Sequence, residues 1–334
     1  MTDTNTQARL ILDGNRRALA RAITLVESTR PDHREQALAL LEILVAKKRQ
    51  ALRIGLSGTP GVGKSTFIEA FGMMLVAKGL KVAVLAVDPS SARTGGSILG
   101  DKTRMERLSR APGAFIRPSP SQTTLGGVTR RTRESIQLCE AAGFDVILVE
   151  TVGVGQSETM VADMTDVFLL LLAPAGGDEL QGVKRGIMEI ADIILVNKAD
   201  GDLRSQALRT CADYAGALRL LRKRPQDPEG FPKALPISAY TNVGLDTTYD
   251  EITALMKWRR ETGVFDQTRA AQALTWFRQE VENGLLNVLH HDPDVAKAWK
   301  PLENQIQSGD ITPDTAARRI LQLFLHGSDQ TDDG

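Results

Sequence analysis

Residues 58–65 have the sequence Gly-Thr-Pro-Gly-Val-Gly-Lys-Ser, which matches the phosphate-binding loop pattern G-x-x-x-x-G-K-[S/T] at every specified position. The apolar run 51–56 before it predicts a buried strand, and residues 65–77 after it predict a helix. A glycine-rich turn between two such elements directs main-chain N–H groups at an anion, and the helix N-terminus adds partial positive charge. We therefore expect a strand, a phosphate-binding loop and a helix in this order.

The loop and the start of the helix supply the first candidate binding residues. Lys64 should reach the β- and γ-phosphates of a nucleotide, and the Ser65 hydroxyl should bind Mg²⁺. The full set of predicted contacts in this segment is Gly58, Pro60, Gly61, Val62, Gly63, Lys64, Ser65 and Thr66.

A second motif, Asn197-Lys198-Ala-Asp200, follows the continuous apolar run 193–196. Such a run is typical of a strand buried on both faces of a parallel sheet, so the motif falls at a carboxyl strand end, where open α/β sheets bind ligands. Asp200 would accept hydrogens from guanine N1–H and the 2-amino group, whereas adenine offers the opposite polarity at that edge. Ser238 and Ala239 are candidates for the N–H that contacts guanine O6, although Ser238 is equally consistent with an ordinary loop serine. The motif predicts selection of a guanine nucleotide, GTP or GDP.

Acidic residues at two further strand ends predict a magnesium site. Asp88 follows the apolar run 81–87, and Glu150 follows 145–149 as part of Glu-Thr-Val-Gly153. Many GTPases carry Asp-x-x-Gly there; the carboxylate holds Mg²⁺ and the glycine N–H senses the γ-phosphate. Asp101 is a further candidate, so the expected metal set is Ser65, Asp88, Asp101 and Glu150. A strand-end turn would also explain Asp88, and a helix N-cap would also explain Asp101.

The position after Gly153 lacks the glutamine that orients water in small GTPases of the Ras type. Val154 stands there, and the nearest glutamine is Gln156. This predicts slow intrinsic hydrolysis that a partner or a loop rearrangement accelerates. The glycine-rich polar segments 91–100 and 175–184 have the composition of switch loops, and equally that of ordinary surface loops.

Charge, cysteine content and hydropathy narrow the class of protein. The 334 residues include 41 basic and 41 acidic side chains, so charge gives no reason to expect nucleic acid or an anionic membrane as partner. Cys139 and Cys211 are isolated and predict reduced thiols. The longest apolar run, 167–173, is too short to cross a bilayer. We expect a cytoplasmic protein.

Three regions follow from the periodicity of apolar residues. Residues 1–50 are predicted as a helical extension interrupted near 29–32, and 51–262 as an α/β nucleotide-binding domain with a mostly parallel sheet covered by helices on both faces. Residues 263–334 are predicted as a helical arm with a frayed tail, serving dimerisation or partner docking, or simply packing on the sheet. The strands are expected to end near Ser57, Asp88, Pro118, Glu150, Pro174, Lys198 and Ser238.

Longer strings outside these motifs resemble the methylmalonyl-CoA mutase-associated GTPases of the MeaB/ArgK family over about residues 10 to 325. The strings that carry the resemblance are 12–24, 58–66, 88–91, 94–105 and 150–158. The resemblance implies a homodimeric P-loop G protein of the SIMIBI class. It further implies a chaperone of an adenosylcobalamin-dependent acyl-CoA mutase, with methylmalonyl-CoA mutase the first candidate, that gates cofactor loading and protects or reactivates the mutase while GTP hydrolysis sets the timing.

The same resemblance assigns phosphate and Mg²⁺ contacts to Lys64, Ser65, Asp88, Asp101 and Glu150. It also likens residues 178–185 to an additional switch, in which Gln181 and Lys184 are relay candidates for catalysis.

Two alternatives remain open at this stage. A kinase of a transport-binding protein would transfer the γ-phosphate to protein rather than to water, but the sequence lacks H-R-D and D-F-G arrangements. A GTPase metallochaperone for another metalloenzyme, such as a nickel enzyme, would need clustered cysteine and histidine ligands. The two separate cysteines and four scattered histidines do not provide them.

Overall fold

The structure is a computed structural model that describes residues 3–87, 105–118, 125–151, 157–174, 185–221, 224 and 226–327 of the 334. The strands in this part of the chain are β1 (Leu52–Gly58), β2 (Val82–Val87), β3 (Ala114–Arg117), β4 (Val146–Thr151), β5 (Val167–Leu172), β6 (Ile193–Val196) and β7 (Lys233–Pro236). The helices are α1 (Thr4–Leu12), α2 (Arg16–Glu27), α3 (Pro31–Val45), α4 (Lys64–Ala77), α5 (Glu106–Arg110), α6 (Leu125–Ala141), α7 (Ser157–Ala162), α8 (Arg185–Ile190), α9 (Arg204–Leu220), α10 (Leu245–Glu261), α11 (Val264–His291), α12 (Pro293–Ser308) and α13 (Pro313–Gly327).

All seven strands of the described chain form one sheet in the order β3-β2-β4-β1-β5-β6-β7, and every pairing is parallel. Every residue of β2, β4, β5 and β6 is buried, as expected when helices cover both faces of a sheet. Pro236 lies in β7, an edge strand, where a missing N–H breaks no ladder bond on the open side. The predicted α/β P-loop fold is confirmed.

The N-terminal extension differs from its prediction in one respect. The apolar pattern predicts an uninterrupted helix up to the break near residue 29, but α1 ends at Leu12 and α2 begins at Arg16. Gly14 has φ +77°, and the Asn15 side chain accepts hydrogen bonds of 3.0 Å from the main-chain N–H groups of Arg17 and Ala18. The left-handed glycine and the asparagine N-cap together separate the two helices.

The chain forms two compact units, Met1–Arg269 and Ala270–Gly334. In the first, the core lies between the sheet and α4, with Ile54, Phe67, Phe71 and Leu169 fully buried. The second has a small apolar core of its own, comprising Val295, Leu302, Ala316 and Ile320. The three-region division at residues 50 and 262 stays a prediction.

Across the residues that the structure describes, we find no helix with the length and apolarity needed to cross a membrane.

Candidate nucleotide-binding site

The candidate site lies at the edge of the sheet where the parallel strands have their carboxyl ends. The central strand β1 has β4 on one side and β5 on the other, and the chain continues from β1 to β2 in one direction and from β4 to β5 in the other. Ligands of open α/β sheets bind at such a change of direction. The loop that follows β1 and the segment that follows β6 meet there.

The phosphate-binding loop connects β1 to α4 in the predicted order. At two of its glycines a residue with a side chain would clash with neighbouring atoms. Gly63 has φ +92° directly before α4, and a Cβ added to it would lie 2.6 Å from Asn197 Nδ2. A Cβ on Gly58 would lie 2.4 Å from the main-chain oxygen of Leu171 on β5. Because both distances are too short for a Cβ, the loop backbone is held close to its neighbours at these two points.

Lys64, the first residue of α4, folds back over this loop. Its Nζ donates hydrogen bonds to the main-chain oxygens of Gly58 at 2.6 Å and Thr59 at 3.3 Å. Burial lowers the pKa of Lys64 below its ordinary value, and the negative charge of Glu150 partly opposes this shift. The loop thus holds a partly desolvated cation where phosphate oxygens would stabilise it.

Asn197 connects the two predicted binding motifs. Its Nδ2 donates to the main-chain oxygen of Val62 at 2.9 Å, and its Oδ1 accepts from the main-chain N–H of Ala239 at 3.0 Å. The side chain is buried. One amide therefore fixes the phosphate loop and the loop after β7 to the end of β6.

Lys198 and Asp200, the two charged residues of the guanine motif, also form side-chain hydrogen bonds. Lys198 has φ +60°, and its Nζ donates to the main-chain oxygen of Gly61 at 2.9 Å. The Ser238 hydroxyl donates to Asp200 Oδ1 at 2.6 Å and accepts from the main-chain N–H of Thr241 at 3.1 Å. Ser238 therefore orients the carboxylate that the motif assigns to the guanine edge, which an ordinary loop serine would not do.

Glu150 and Ser65 are the described members of the predicted metal set. Glu150 is 5% exposed and pairs in register with Leu56, two residues before Gly58. Ser65 is the second residue of α4. A carboxylate and a hydroxyl are oxygen ligands of the kind that Mg²⁺ prefers, so these two residues fit the ion.

Other predicted site residues lie outside the described part of the chain: Asp88, Asp101, Gly153, Gln181 and Lys184. Within the described part, no group of three or more histidine, cysteine, aspartate or glutamate side chains is arranged to hold a metal, and Cys139 and Cys211 are both buried as free thiols.

One pair of side chains at the site was not among the residues predicted from the sequence. Thr151 Oγ1 donates to Ser57 Oγ at 2.9 Å in a buried contact between the ends of β4 and β1. This bond joins the residue after Glu150 to the residue before Gly58. The sequence does contain a signal for this bond, since a residue with a hydroxyl group lies near the end of each of these two neighbouring strands.

Comparisons with known proteins agree with this geometry. The family model described as methylmalonyl Co-A mutase-associated GTPase MeaB matches residues 19–294. A probable GTPase of Mycobacterium tuberculosis is 51% identical over 316 residues, which cover 95% of this chain and 94% of the relative. The mouse protein named methylmalonic aciduria type A homolog, mitochondrial, is 47% identical over 324 residues, covering 94% of this chain and 78% of the relative.

One solved structure is also similar over almost the whole chain. A crystal structure titled LAO/AO transport system kinase superposes with a TM-score of 0.74 at 38% identity, covering 96% of this chain and 97% of that one. Together with the phosphate loop and the guanine motif, these matches establish that the chain belongs to the methylmalonyl Co-A mutase-associated GTPase MeaB family.

Proposed function

We propose that this protein binds GTP and hydrolyses it to GDP and phosphate. The observation that carries the proposal is the position of Asn197, whose side chain bonds to the phosphate loop at Val62 and to the guanine loop at Ala239. A nucleotide held by this frame would have its phosphates at the start of α4 and its base beside Asp200.

The described residues have distinct roles in this proposal. The loop N–H groups and Lys64 bind the β- and γ-phosphates, and Asp200, oriented by Ser238, accepts the two hydrogens of the guanine edge. The main-chain N–H of Ala239 donates to Asn197 Oδ1, so a contact with the base oxygen would require this N–H to be shared between the two acceptors. Replacing guanine with adenine would leave the Asp200 carboxylate facing an acceptor, which favours GTP over ATP.

Ser65 and Glu150 would hold Mg²⁺, with Asp88 and Asp101 as the predicted further ligands. When bound, this ion neutralises negative charge on the β- and γ-phosphates. The main-chain N–H of Gly153 is proposed to sense the γ-phosphate, and Gln181 and Lys184 are proposed to act in the catalytic relay.

Nucleotide binding and product analysis test the proposal. Calorimetry with GDP and ADP should give a dissociation constant for GDP that is lower by about a hundredfold or more, as sites built to pair a specific polar edge discriminate strongly. With γ-labelled GTP, the label should appear as inorganic phosphate. Label transferred to a protein acceptor would instead support a kinase, and equal affinity for ADP would contradict the guanine assignment.

We further propose that the protein is a chaperone of an adenosylcobalamin-dependent acyl-CoA mutase, with methylmalonyl-CoA mutase as the first client to test. The family description and the name of the mouse relative both support a role connected with methylmalonyl-CoA metabolism. In this proposal the nucleotide state gates cofactor loading, and the protein protects or reactivates the mutase.

A homodimer is the proposed assembly, because α11 carries an unusually apolar exposed surface. Leu274, Phe277, Val281, Leu285 and Val288 are each between 53% and 66% exposed and recur at helical spacing. Exposed apolar stripes of this kind are typical of protein interfaces. Sedimentation analysis should give a dimer that the double variant Phe277→Glu, Leu285→Glu converts to a monomer; a monomeric wild type would contradict the proposal.

A further inference from the structure

Two buried hydroxyl groups lie at the point where the phosphate-binding loop leaves the sheet. Ser57 is the residue before Gly58 near the end of β1, and Thr151 is the residue after Glu150 at the end of β4. Both are 0% exposed. Thr151 Oγ1 donates to Ser57 Oγ at 2.9 Å and lies 3.5 Å from the main-chain oxygen of Leu56. We call Ser57 and Thr151 the hydroxyl pair.

The main-chain pairing of β1 with β4 ends directly beside the hydroxyl pair. The last two residues in register are Leu56 and Glu150, whereas β1 continues next to β5 through Ser57 and Gly58. The next residue of each strand, Ser57 and Thr151, forms the hydroxyl bond. A side-chain bond therefore continues the contact between the two strands by one residue, at the position from which Glu150 projects.

Glu150 and the hydroxyl pair lie on opposite faces of the sheet. Leu148, two residues before Glu150, packs in the core beside α4. Because side chains alternate between the two faces along a strand, Glu150 lies on the face of α4 and Thr151 on the other. The electrostatics agree, since burial lowers the pKa of Lys64 on α4 and the charge of Glu150 opposes this shift. Thr151 thus holds the main chain from behind while Glu150 faces the phosphate loop.

The hydroxyl bond sets a shorter distance between the strand ends than an apolar contact would. The two oxygens are 2.9 Å apart. Because carbon atoms in contact are about 3.5–4.0 Å apart, an apolar pair would separate the strand ends by about 0.6–1.1 Å more. Mg²⁺ requires near-ideal octahedral geometry with ligands at about 2.0–2.1 Å, so a displacement of this size is large for a ligand such as Glu150.

We propose that Thr151 and Ser57 are positioning residues: their hydroxyl bond fixes the end of β4 to the end of β1 and so holds the Glu150 carboxylate at the distance from the phosphate loop that Mg²⁺ requires. Both residues act through Glu150, and their role rests on the proposed nucleotide and magnesium site. Valine has the branched shape of threonine and would fill the same space, so packing alone does not account for the hydroxyl of Thr151.

The test compares how strongly Mg²⁺ increases nucleotide affinity in variants of the full chain. The variants are Thr151→Val, Thr151→Ser and the double variant Ser57→Ala, Thr151→Val. Thr132→Val is the matched control, because Thr132 is also buried but its hydroxyl donates to Val128 within α6. Calorimetry with a non-hydrolysable GTP analogue, in Mg²⁺ and in EDTA, gives the effect of the ion. Urea unfolding gives the stability, and GTP hydrolysis is measured against Mg²⁺ concentration.

Thr151→Val and the double variant should lose most of the Mg²⁺ effect. We expect the increase in affinity to be smaller by about tenfold or more, and half-maximal hydrolysis to need about tenfold more Mg²⁺, because a misplacement of about 1 Å can cost a hundredfold in rate. Affinity in EDTA should equal that of wild type. Thr151→Ser, which keeps the hydroxyl, and Thr132→Val should both retain the wild-type Mg²⁺ effect.

The double variant separates positioning from stability. Thr151→Val alone leaves the buried Ser57 hydroxyl without its partner and should lower the urea midpoint, whereas replacing both partners by apolar groups can be nearly neutral. If the hydroxyl pair served only stability, the double variant would recover the Mg²⁺ effect together with its resistance to urea. We expect the resistance to urea to recover and the Mg²⁺ effect to stay lost.

A wild-type Mg²⁺ effect in Thr151→Val or in the double variant would overturn the proposal, as would loss of this effect in Thr151→Ser. If Thr151→Val does not fold, the double variant decides, because it leaves neither hydroxyl of the pair unpaired. Failure of wild type to bind guanine nucleotides would instead overturn the proposed function itself. Wild-type binding that Mg²⁺ does not strengthen would overturn the magnesium site on which the role of Thr151 rests.

Discussion

The side-chain amide of Asn197 donates a 2.9 Å hydrogen bond to the main-chain oxygen of Val62, although 135 residues separate them in the chain. This bond connects the loop that binds phosphates to the strand end that carries the base-selecting carboxylate. Because Asn197 Oδ1 also accepts from the Ala239 N–H, one buried side chain sets the distance between the two halves of the nucleotide site.

Asn197→Ala should weaken GDP binding by at least about tenfold and lower the free energy of unfolding by about 1–3 kcal/mol, because it leaves a buried carbonyl and a buried N–H unpaired. Asn197→Asp, which keeps the acceptor and loses the donor, should weaken GDP binding as well. Calorimetry and urea unfolding measure both effects, with the exposed Asn304→Ala as control. Unchanged GDP affinity in Asn197→Ala would show that the frame does not depend on this side chain.

Asp200→Asn should shift nucleotide preference from GTP toward XTP, because an amide can donate where the carboxylate only accepts. The expected loss of GTP affinity is about a hundredfold or more, with a gain for XTP. Asp202→Asn, an exposed aspartate two residues away, is the matched control and should leave both affinities unchanged. Retention of wild-type GTP affinity in Asp200→Asn would refute the base-recognition assignment.

The sequence predicted the approximate ends of the seven strands that the structure describes, because buried parallel strands appear as continuous apolar runs such as 193–196. It also placed the phosphate loop and the guanine motif at strand ends. It did not predict the order of these strands in the sheet, nor the bonds of Asn197 to Val62 and Ala239, since contacts between distant residues leave no local pattern. The break at Gly14 was missed because apolar periodicity continues across it.

Buried charge was the least predictable feature. Four charged residues of types usually found on a solvated surface form one buried network at the amino ends of the strands. They are Arg53, Glu140, Asp166 and Arg269. Only the tertiary fold brings a residue from α11 beside one that precedes β5. A hydropathy pattern assigns such residues to the surface, because it depends only on residue type and contains no information about their ion-pair partners.

Arg269→Met should therefore destabilise the protein strongly while sparing the nucleotide site. Arg269 makes two hydrogen bonds of 2.7 Å to Asp166, whose side chain is 2% exposed. Removing one partner of a buried ion pair costs about 3–5 kcal/mol, whereas Lys257→Met at the exposed pair with Glu261 should change stability by less than about 1 kcal/mol. Urea unfolding measures this difference.

GDP affinity at a temperature where Arg269→Met is folded should equal that of wild type, since the pair lies at the opposite edge of the sheet from the phosphate loop. An equally small loss of stability in Arg269→Met and Lys257→Met would contradict a structural role for the network.

The lowered pKa of Lys64 predicts a specific pH dependence in the nucleotide-free protein. Because the folded-state pKa lies below the ordinary value of 10.5, the unfolded chain binds the proton more tightly, and the contribution of Lys64 to the free energy of unfolding increases as pH rises between the two pKa values. Below the folded-state pKa the unfavourable contribution is present in full. Relative to Lys64→Met, wild type should therefore gain stability toward alkaline pH.

Urea unfolding of both proteins between pH 7 and pH 10 measures this gain, since the titrating groups that do not interact with Lys64 cancel in the difference between the two. A difference that does not change with pH would contradict the burial of a charged Lys64.

The proposed function is tested most directly by the rate of GTP hydrolysis by the purified protein, alone and with a methylmalonyl-CoA mutase from the same organism. We expect a slow basal release of inorganic phosphate that is lost in Lys64→Ala and rises strongly when the mutase is added. A rate that does not respond to the mutase would contradict the proposed chaperone role, and a rate that survives Lys64→Ala would contradict the phosphate-loop assignment itself.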